Sequence, residues 1–369
     1  MKTYHVIGVM SGSSLDGIDL AYCQLEGEQK KWNYKLLIKE YIPYPTKWKL
    51  RLANLTLQNA ITYIKTHTFF GHYLGSVINE FIRRNSIDNE LDFIASHGQT
   101  IFHQPDNLLT SQIGDASAIA FETGFPVIAN FRNNDVAAGG QGAPIVPICD
   151  LILFPEYSHL INLGGISNIS FQTSEKGVIG YDICAVNMLL NSLAGELDMP
   201  YDKNGKTAES GVIHQNLLDE LNSSWYFDKR YPKSLSGGWV AKVIMPIFSR
   251  YDCSIADKLK TACEHIAEQI AREIKVIYEQ ENLAIEPEHK VCLTGGGAFN
   301  KYLVSRIRAL SPIPVELPDE DIIQYKEAIL MALMGVLRIE NETNVLASVT
   351  GASFDTVGGC IYQGHKHLL

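Results

Sequence analysis

The sequence has no C-x-x-C pair among its seven cysteines, no long apolar run at its N-terminus and no concentration of basic residues. Scattered cysteines in apolar segments usually act as small hydrophobic residues, so we expect no disulfides. Gly and Ser interrupt the short apolar stretch at the N-terminus, which argues against a signal peptide or membrane span there and favours a cytosolic protein. A net charge of −10 argues against nucleic acid as a partner.

Length and pattern indicate two related α/β domains. A chain of 369 residues, 46% apolar and 20% charged, is long for one hydrophobic core. Three strand patterns, HVIGVM, IDLAYCQLE and YKLLIKEYIPY, precede alternating helix and strand. The same order starts again at HLINLGG, ISFQ and GVIGYD. We therefore predict a first domain from residues 1–133 plus the last few residues, and a second from residues 134–365 with helical insertions.

Three glycine-rich turns follow apolar strands, at residues 11–17, 163–168 and 294–300. Backbone N–H groups in such turns can approach a phosphate closely, and the hydroxyls and carboxylates of the first turn suit phosphate or hydrated Mg²⁺. One such turn alone is more simply an ordinary polar turn. Three of them, each at the end of a buried strand, favour a nucleotide cleft between two domains.

Polar residues at two other places could bind a substrate. Arg132 lies in a glycine-rich loop, residues 131–144, predicted between two buried strands. It could pair with a carboxylate or phosphate, or form a salt bridge of an interdomain hinge. His97 and Gln99 are predicted at the end of the strand LDFIAS, where they suit sugar hydroxyls, although a lone histidine there is more often structural.

Two acidic residues are candidates for chemistry. Asp182 follows the strand pattern GVIGY and precedes a helical pattern. It could act as a general base or cap the N-terminus of that helix, and the sequence favours neither. Glu327 lies early on an apolar helix and, taken by itself, is predicted to be a solvated residue.

In order and spacing, the chain resembles the anhydro-N-acetylmuramic acid kinase family at GVMSGSSLDGID, SHGQT, FRNNDVAAGGQGAPIVP, LINLGGISNIS, LTGGGAFN and SVTGA. The resemblance runs from Gly8 to about Gly364. It implies two ribonuclease H-like domains of the sugar kinase/Hsp70/actin superfamily, the first an actin-like ATPase domain. It also implies an ATP-dependent enzyme that opens the ring of 1,6-anhydro-N-acetylmuramic acid with water and phosphorylates O6.

The resemblance also implies roles for individual residues. Those implied to line the ATP site are Gly12, Ser13, Ser14, Leu15, Asp16, Gly17, Ile18, Asp19, Gly164, Gly165, Gly295, Gly296 and Gly297. Those implied to face the sugar are His97, Gln99, Arg132, Gln141 and Glu327. Asp182 is implied to activate water at the anomeric carbon. ATP and Mg²⁺ are the expected cofactors, the sugar is the expected small-molecule partner, no membrane partner is expected, and a homodimer is left open.

The chain departs from the family pattern in two segments. The family usually has GFDTGPGN around the catalytic carboxylate, whereas residues 180–187 here read GYDICAVN. A stretch that often reads PPKSTGRE is YPKSLSGGW at residues 231–239, without the Arg and Glu. Two alternatives therefore stay open: a kinase of another small carbohydrate, and a non-catalytic nucleotide-binding regulator of the same fold.

Overall fold

The computed structural model describes residues 1–12, 15–29, 31–173, 177–231 and 233–366. The chain forms two compact units. The first comprises Met1–Phe154 and Tyr325–Leu369, and the second comprises Pro155–Gln324. None of the helices in these described ranges is both long and apolar enough to cross a membrane.

The described residues form strands and α-helices with the following bounds. The strands are β1 (Lys2–Ser11), β2 (Gly17–Glu28), β3 (Lys31–Pro43), β4 (Phe93–Gln104), β5 (Leu109–Ile113), β6 (Val127–Ala129), β7 (His159–Leu163), β8 (Ile166–Thr173), β9 (Gly177–Ala185), β10 (Val291–Thr294), β11 (Val315–Glu316) and β12 (Cys360–Tyr362). The α-helices are α1 (Thr46–Ala53), α2 (Ala60–Asn85), α3 (Ala116–Thr123), α4 (Asn133–Ala137), α5 (Val146–Leu153), α6 (Asn187–Gly195), α7 (Lys206–Ser210), α8 (Gln215–Asn222), α9 (Trp225–Asp228), α10 (Gly237–Trp239), α11 (Met245–Phe248), α12 (Ile255–Gln280), α13 (Lys301–Leu310), α14 (Glu320–Ile339) and α15 (Ala347–Thr350).

The first unit is built on a mixed sheet with the strand order β12-β6-β4-β1-β2-β3, and β5 pairs with β4. Strands β1, β2 and β3 are antiparallel neighbours, whereas β4 is parallel to β1 and β6 is parallel to β4. Val6, Ile7 and Val9 of β1 are buried. A nearly continuous apolar run is expected for a central strand that is covered on both faces.

The second unit repeats this plan in the order β11-β10-β7-β8-β9. Strands β7, β8 and β9 are antiparallel neighbours, β10 is parallel to β7, and β11 is parallel to β10. Its core order therefore corresponds strand for strand to β6-β4-β1-β2-β3 of the first unit. This shared topology, an antiparallel hairpin extended by parallel strands, is the ribonuclease H-like plan and confirms the predicted α/β fold class.

Long amphipathic helices cover the sheets, as the periodicity predicts. Helix α2 buries Phe70, Leu74, Ile78 and Phe81 along one face, and Asn59 caps it by accepting the Thr62 N–H. Helix α12 of the second unit buries an equivalent apolar stripe and is capped by a serine at its N-terminus. Each helix packs its apolar stripe into the hydrophobic core of its own unit.

The structure differs from the sequence-based description in three places. Strand β4 does not end at His97 but continues to Gln104. The loop after β6 leads into helix α5 rather than a buried strand, because a short apolar run does not distinguish the two and Pro147 favours a helix start. The compact units divide after Phe154 and after Gln324, not at residues 133 and 134.

The return of α14 to the first sheet accounts for the second division. A Cβ atom at Gly8 of β1 would lie 1.8 Å from the carbonyl oxygen of Ala328, so the glycine lets the helix main chain lie directly on the strand. Farther along α14, a Cβ atom at Gly335 would lie 2.8 Å from the side chain of Ala95 on β4. The helix is therefore part of the core of the first unit although it is distant in sequence.

Candidate active site

The turn between β1 and β2 carries the first predicted phosphate-binding group. Ser13 and Ser14 lie outside the described residues. Leu15 has a positive φ of 57°, and its N–H donates to the Gly12 carbonyl at 3.3 Å, which closes the turn. Asp16 is exposed, whereas Ile18 is buried in the core, so any contact of Ile18 with a ligand would use its main chain.

Three charged groups of the first unit influence one another: Asp19 on β2, Glu327 on α14 and Arg132 after β6. Burial, followed by the charge of Glu327, raises the pKa of Asp19 to about 7. Burial lowers the pKa of Arg132 to about 10, against the attraction of Glu327 and Asp135. Glu327 is exposed, as predicted for an isolated position, yet desolvation by neighbouring groups raises the pKa of its carboxyl against the opposing charges of Arg132 and Lys326.

His97 holds the guanidinium of Arg132 in place. The Arg132 Nε–H donates to His97 Nε2 at 3.0 Å, and Arg132 Nη1 donates to the Gly142 carbonyl at 2.5 Å. His97 Nδ1 lies 2.8 Å from the Gly98 carbonyl, so we assign the imidazole proton to Nδ1. Burial and the charge of Arg132 lower the pKa of His97 to about 3. A neutral His97 is thus a fixed acceptor for Arg132.

Gln99 and Gln141 have different environments. Gln99 is buried, and its Oε1 accepts from the hydroxyl of Ser11 at 2.5 Å, so it connects the end of β1 to β4. Gln141 is exposed at the tip of the loop, and its N–H donates to the Thr350 carbonyl at 2.8 Å. The side chain of Gln141 is therefore accessible to a ligand, whereas that of Gln99 supports the strand ends.

Asp135 is a residue of this region that the sequence reasoning missed. It is fully buried, its Oδ2 accepts from the Gly142 N–H at 2.7 Å, and its Oδ1 accepts from the Thr350 hydroxyl at 2.7 Å. These bonds fix the loop whose Gly142 carbonyl holds Arg132. The signal in the sequence was an aspartate inside a glycine-rich loop, where a carboxylate commonly binds free N–H groups.

In the second unit, Asp182 lies within β9 and is half-buried. Its Oδ2 accepts from the Leu235 N–H at 2.9 Å, its own N–H donates to the Lys233 carbonyl at 3.3 Å, and its carbonyl accepts from the Tyr226 hydroxyl at 2.8 Å. Burial raises the pKa of Asp182, and the Leu235 N–H opposes this shift. Since β9 ends at Ala185 and Val186 is the N-cap of α6, the helix-cap alternative for Asp182 is excluded.

The two glycine turns of the second unit differ in what their main chain does. The carbonyls of Gly164 and Gly165 accept N–H groups from the start of α6, including that of Asn187 at 3.1 Å. Gly295 has a φ of +80°, and a Cβ atom there would lie 2.3 Å from the side chain of Asn162. The turn after β10 therefore requires glycine in order to approach the end of β7.

A cavity of about 460 Å³ opens beside this turn, within the second unit. It is lined by Asn187, Leu190, Asn191, Tyr201, Asp202, Lys203, Asn204, Gly296, Gly297, Phe299 and Asn300. Tyr201 is 55% exposed and Phe299 is 40% exposed, so two aromatic rings border an accessible space. Only Gly296 and Gly297 of this set were predicted. The volume and the mixture of aromatic and amide groups suit a small organic ligand.

The described part of the chain contains no group of three or more His, Cys, Asp or Glu residues arranged to hold a metal ion. The first unit brings together Asp19, His97, Arg132 and Glu327, with Gln141 on the loop that Asp135 fixes. The second unit places the predicted glycines beside the cavity and holds Asp182 separately on β9.

The two ribonuclease H-like sheets with glycine turns at the ends of their strands define a protein of the sugar kinase/Hsp70/actin class. A family model described as anhydro-N-acetylmuramic acid kinase matches residues 4–364, and the chain belongs to this family. Similar proteins include the anhydro-N-acetylmuramic acid kinases of Francisella tularensis subsp. novicida (32% identity, over 97% of this chain and 98% of the relative) and of Vibrio cholerae (34% identity, over 96% and 97%).

A distant likeness exists among solved structures. An activator of the 2-hydroxyisocaproyl-CoA dehydratase from Clostridium difficile with bound ADPNP is 12% identical, with a TM-score of 0.43 over 89% of this chain and 93% of that one. Similarity at this level adds nothing to the assignment of the fold, which follows from the order of the strands in the two sheets.

We predict that Asp135→Ala destabilises the protein by about 2 to 3 kcal/mol, because it leaves the buried Gly142 N–H and Thr350 hydroxyl without their acceptor. Denaturant unfolding followed by circular dichroism measures the change. Asp88→Ala removes an exposed carboxylate of the same unit and is expected to change stability by less than about 0.5 kcal/mol. Equal effects of the two substitutions would contradict the anchoring role of Asp135.

Proposed function

We propose that this protein is an ATP-dependent kinase that hydrolytically opens the 1,6-anhydro ring of 1,6-anhydro-N-acetylmuramic acid and phosphorylates O6. The products are N-acetylmuramic acid 6-phosphate and ADP, as needed in the recycling of peptidoglycan. Family membership supplies the substrate class. The structural observation that carries the proposal is Asp182, a half-buried carboxylate within a strand, held by one main-chain N–H and not used as a helix cap.

The second unit supports ATP as the phosphate donor. Its cavity presents the rings of Tyr201 and Phe299 for stacking against a nucleobase, and Lys203 adds a positive charge at the rim. We assign the glycine turns at residues 164–165 and 295–297, with residues 12–19 of the first unit, to the phosphates. Because the reaction consumes ATP, the proposal includes a cytoplasmic location.

The first unit supports recognition of an anionic sugar. N-acetylmuramic acid carries a carboxylate on its lactyl group, and we assign Arg132 to that group because its guanidinium is already oriented by His97 and by the Gly142 carbonyl. The accessible side chains of Gln141 and Glu327 are assigned to sugar hydroxyls. His97 and Gln99 are buried and bonded to protein groups, so their part is to position the other residues.

Asp182 is assigned as the general base. It takes a proton from water as the water oxygen bonds to the anomeric carbon, while the bond between that carbon and O6 breaks. The O6 oxygen then bonds to the γ-phosphorus and ADP leaves, so no separate acid is required for O6. Burial makes the carboxylate more basic, and the Leu235 N–H stabilises its charged form, which suits a base that must be ionised before the reaction.

The residues of the first turn fit Mg²⁺. Asp16 is exposed, and Asp19 is a half-buried carboxylate whose pKa is raised by burial and by the charge of Glu327. Oxygen donors of this kind match the preference of Mg²⁺, which usually takes one or two carboxylates together with phosphate oxygens and water. When bound with ATP, Mg²⁺ would neutralise charge on the β- and γ-phosphates.

The altered segment after Asp182 gives no support to a different sugar substrate. Ile183, Cys184 and Val186 are each 0% exposed, and they belong to the hydrophobic core of the second unit. The bulkier residues therefore fill the interior and are not available to contact a ligand. This observation favours the family's substrate over the alternative of another small carbohydrate.

We predict that Asp182→Asn lowers kcat by about a hundredfold or more, because the amide can still accept the Leu235 N–H but cannot take a proton from water. A coupled ADP-release assay with 1,6-anhydro-N-acetylmuramic acid measures turnover, and calorimetry measures the retained affinity for ATP. Asp228→Asn changes an exposed carboxylate of the same unit and serves as the matched control. Turnover of Asp182→Asn near the wild-type rate would eliminate Asp182 as the base.

The cavity gives a second prediction. Tyr201→Ala and Phe299→Ala should each raise KM for ATP by about tenfold, since stacking of a base on an aromatic ring is worth roughly 1–3 kcal/mol. Both side chains are accessible, so stability should change little. Phe354→Ala, an exposed aromatic of the first unit, is the control. An unchanged KM for ATP in both cavity variants would place the nucleobase elsewhere.

The third prediction concerns Mg²⁺ and pH. With a pKa of about 7, Asp19 is mostly protonated at pH 6 and mostly ionised at pH 8. A proton competes with a cation for the carboxylate, so the Mg²⁺ concentration for half-maximal activity should fall about tenfold over this range. ATP also changes its protonation state in this pH range, and the Asp19→Asn variant measures the contribution of ATP without that of Asp19. If wild type and Asp19→Asn show the same pH dependence, Asp19 does not act on Mg²⁺.

A further inference from the structure

We propose that the buried ion pair between Lys233 and Glu273 is a positioning device for Asp182, an inference that rests on the proposed role of Asp182 as the base. Lys233 Nζ lies 2.6 Å from Glu273 Oε1, and the two side chains are 1% and 2% exposed. Glu273 lies on α12, and Lys233 precedes α10, so the pair ties a loop of the second unit to its longest helix.

The pair sits in a shell of tyrosines. The Tyr181 hydroxyl donates to Glu273 Oε2 at 3.1 Å, so both carboxylate oxygens are occupied. Lys233 Nζ lies 5.1 Å from the ring centroid of Tyr226 and 5.7 Å from that of Tyr181. Both charged groups have lost their hydration, so each is stabilised mainly by its partner and by the surrounding rings. Such a buried pair is tolerated only when its geometry is well defined.

The same residues contact Asp182 through the main chain. The Asp182 N–H donates to the Lys233 carbonyl, and the Leu235 N–H, two residues farther on, donates to Asp182 Oδ2. The Tyr226 hydroxyl donates to the Asp182 carbonyl. Tyr181 and Asp182 are consecutive in β9, so their side chains point to opposite faces. The ion pair contacts the face of β9 that carries the Tyr181 side chain. The main chain of residues 233–235 orients the Asp182 carboxylate on the opposite face.

Lys233 does not contact the reacting groups. Its side chain is almost completely enclosed, and its ammonium group is paired with Glu273. Burial raises the pKa of Asp182 and the Leu235 N–H lowers it, so the segment that carries Lys233 reaches Asp182 through its main chain. Lys233 is therefore a positioning residue that acts on Asp182 through the placement of Leu235.

The test removes both charges together, as Lys233→Met with Glu273→Gln, so that no uncompensated charge is left in the interior. The matched control is Arg306→Met with Glu264→Gln, a pair with an N–O distance of 2.7 Å that also involves α12. We expect the first double variant to lower kcat by about tenfold or more, with KM for ATP changed by less than about twofold. The control should keep kcat within about twofold.

The decisive measurement repeats the Lys233 and Glu273 substitutions in the Asp182→Asn protein. If the pair acts only through Asp182, it should cause no further loss of kcat in that background. The same fold loss in both backgrounds, or no loss in the wild-type background, overturns the inference. Should the double variant fail to fold, Tyr181→Phe, which removes the hydroxyl donor to Glu273 Oε2 and leaves both charges paired, is measured in both backgrounds with the same criteria.

Failure of this inference is distinguishable from failure of the proposed function. If Asp182→Asn alone turns over the anhydro-sugar at nearly the wild-type rate, the role of Asp182 is wrong and the positioning role is lost with it. If Asp182→Asn is impaired while the Lys233 and Glu273 variants match the control pair, the base assignment stands and only the positioning role is wrong.

Discussion

Parallel pairing beside an antiparallel hairpin is the constraint on which each unit depends. In the first sheet β1 pairs with β4, and the register places Ser11 opposite Gln99, whose side chains are hydrogen-bonded. In the second sheet β7 pairs with β10, and Asn162 lies opposite Thr294. Because parallel strands end at the same edge of a sheet, each pairing brings a hairpin turn next to a second polar segment. Each glycine turn is formed by contiguous residues, whereas the polar residues beside it are brought there by the parallel pairing of the strands.

Buried charged side chains are stabilised in different ways in the two units. The first keeps a cation, Arg132, among carboxylates and orients it with a neutral histidine. The second neutralises Lys233 internally with Glu273 and leaves Asp182 half-buried with one main-chain donor. Burial of unpaired charge is costly. Partners that are themselves fixed, rather than mobile surface groups, therefore determine how these charged side chains are oriented.

Local patterns predicted the hairpins, the long helices α2 and α12 and the repeated topology, because periodicity and strand order are properties of contiguous sequence. They failed where the outcome depends on distant residues. Helix α5 is a short apolar run, and the return of α14 to β1 depends on Gly8. The cavity was missed because it is assembled from three segments, residues 187–191, 201–204 and 296–300. Asp182 was ambiguous because its environment comes from Leu235, 53 positions away.

The hydrogen bond from Leu235 also explains how the chain can depart from the family's pattern around Asp182. A main-chain N–H is present at position 235 whatever its side chain, provided that the backbone there keeps the same conformation. Residues 183–186 pack into the core, and none of their side chains takes part in the hydrogen bond that holds Asp182. The sequence around the carboxylate can therefore change while its single donor stays in place. What the geometry requires is an anchor for the loop, and the enclosed pair of Lys233 and Glu273 meets that requirement.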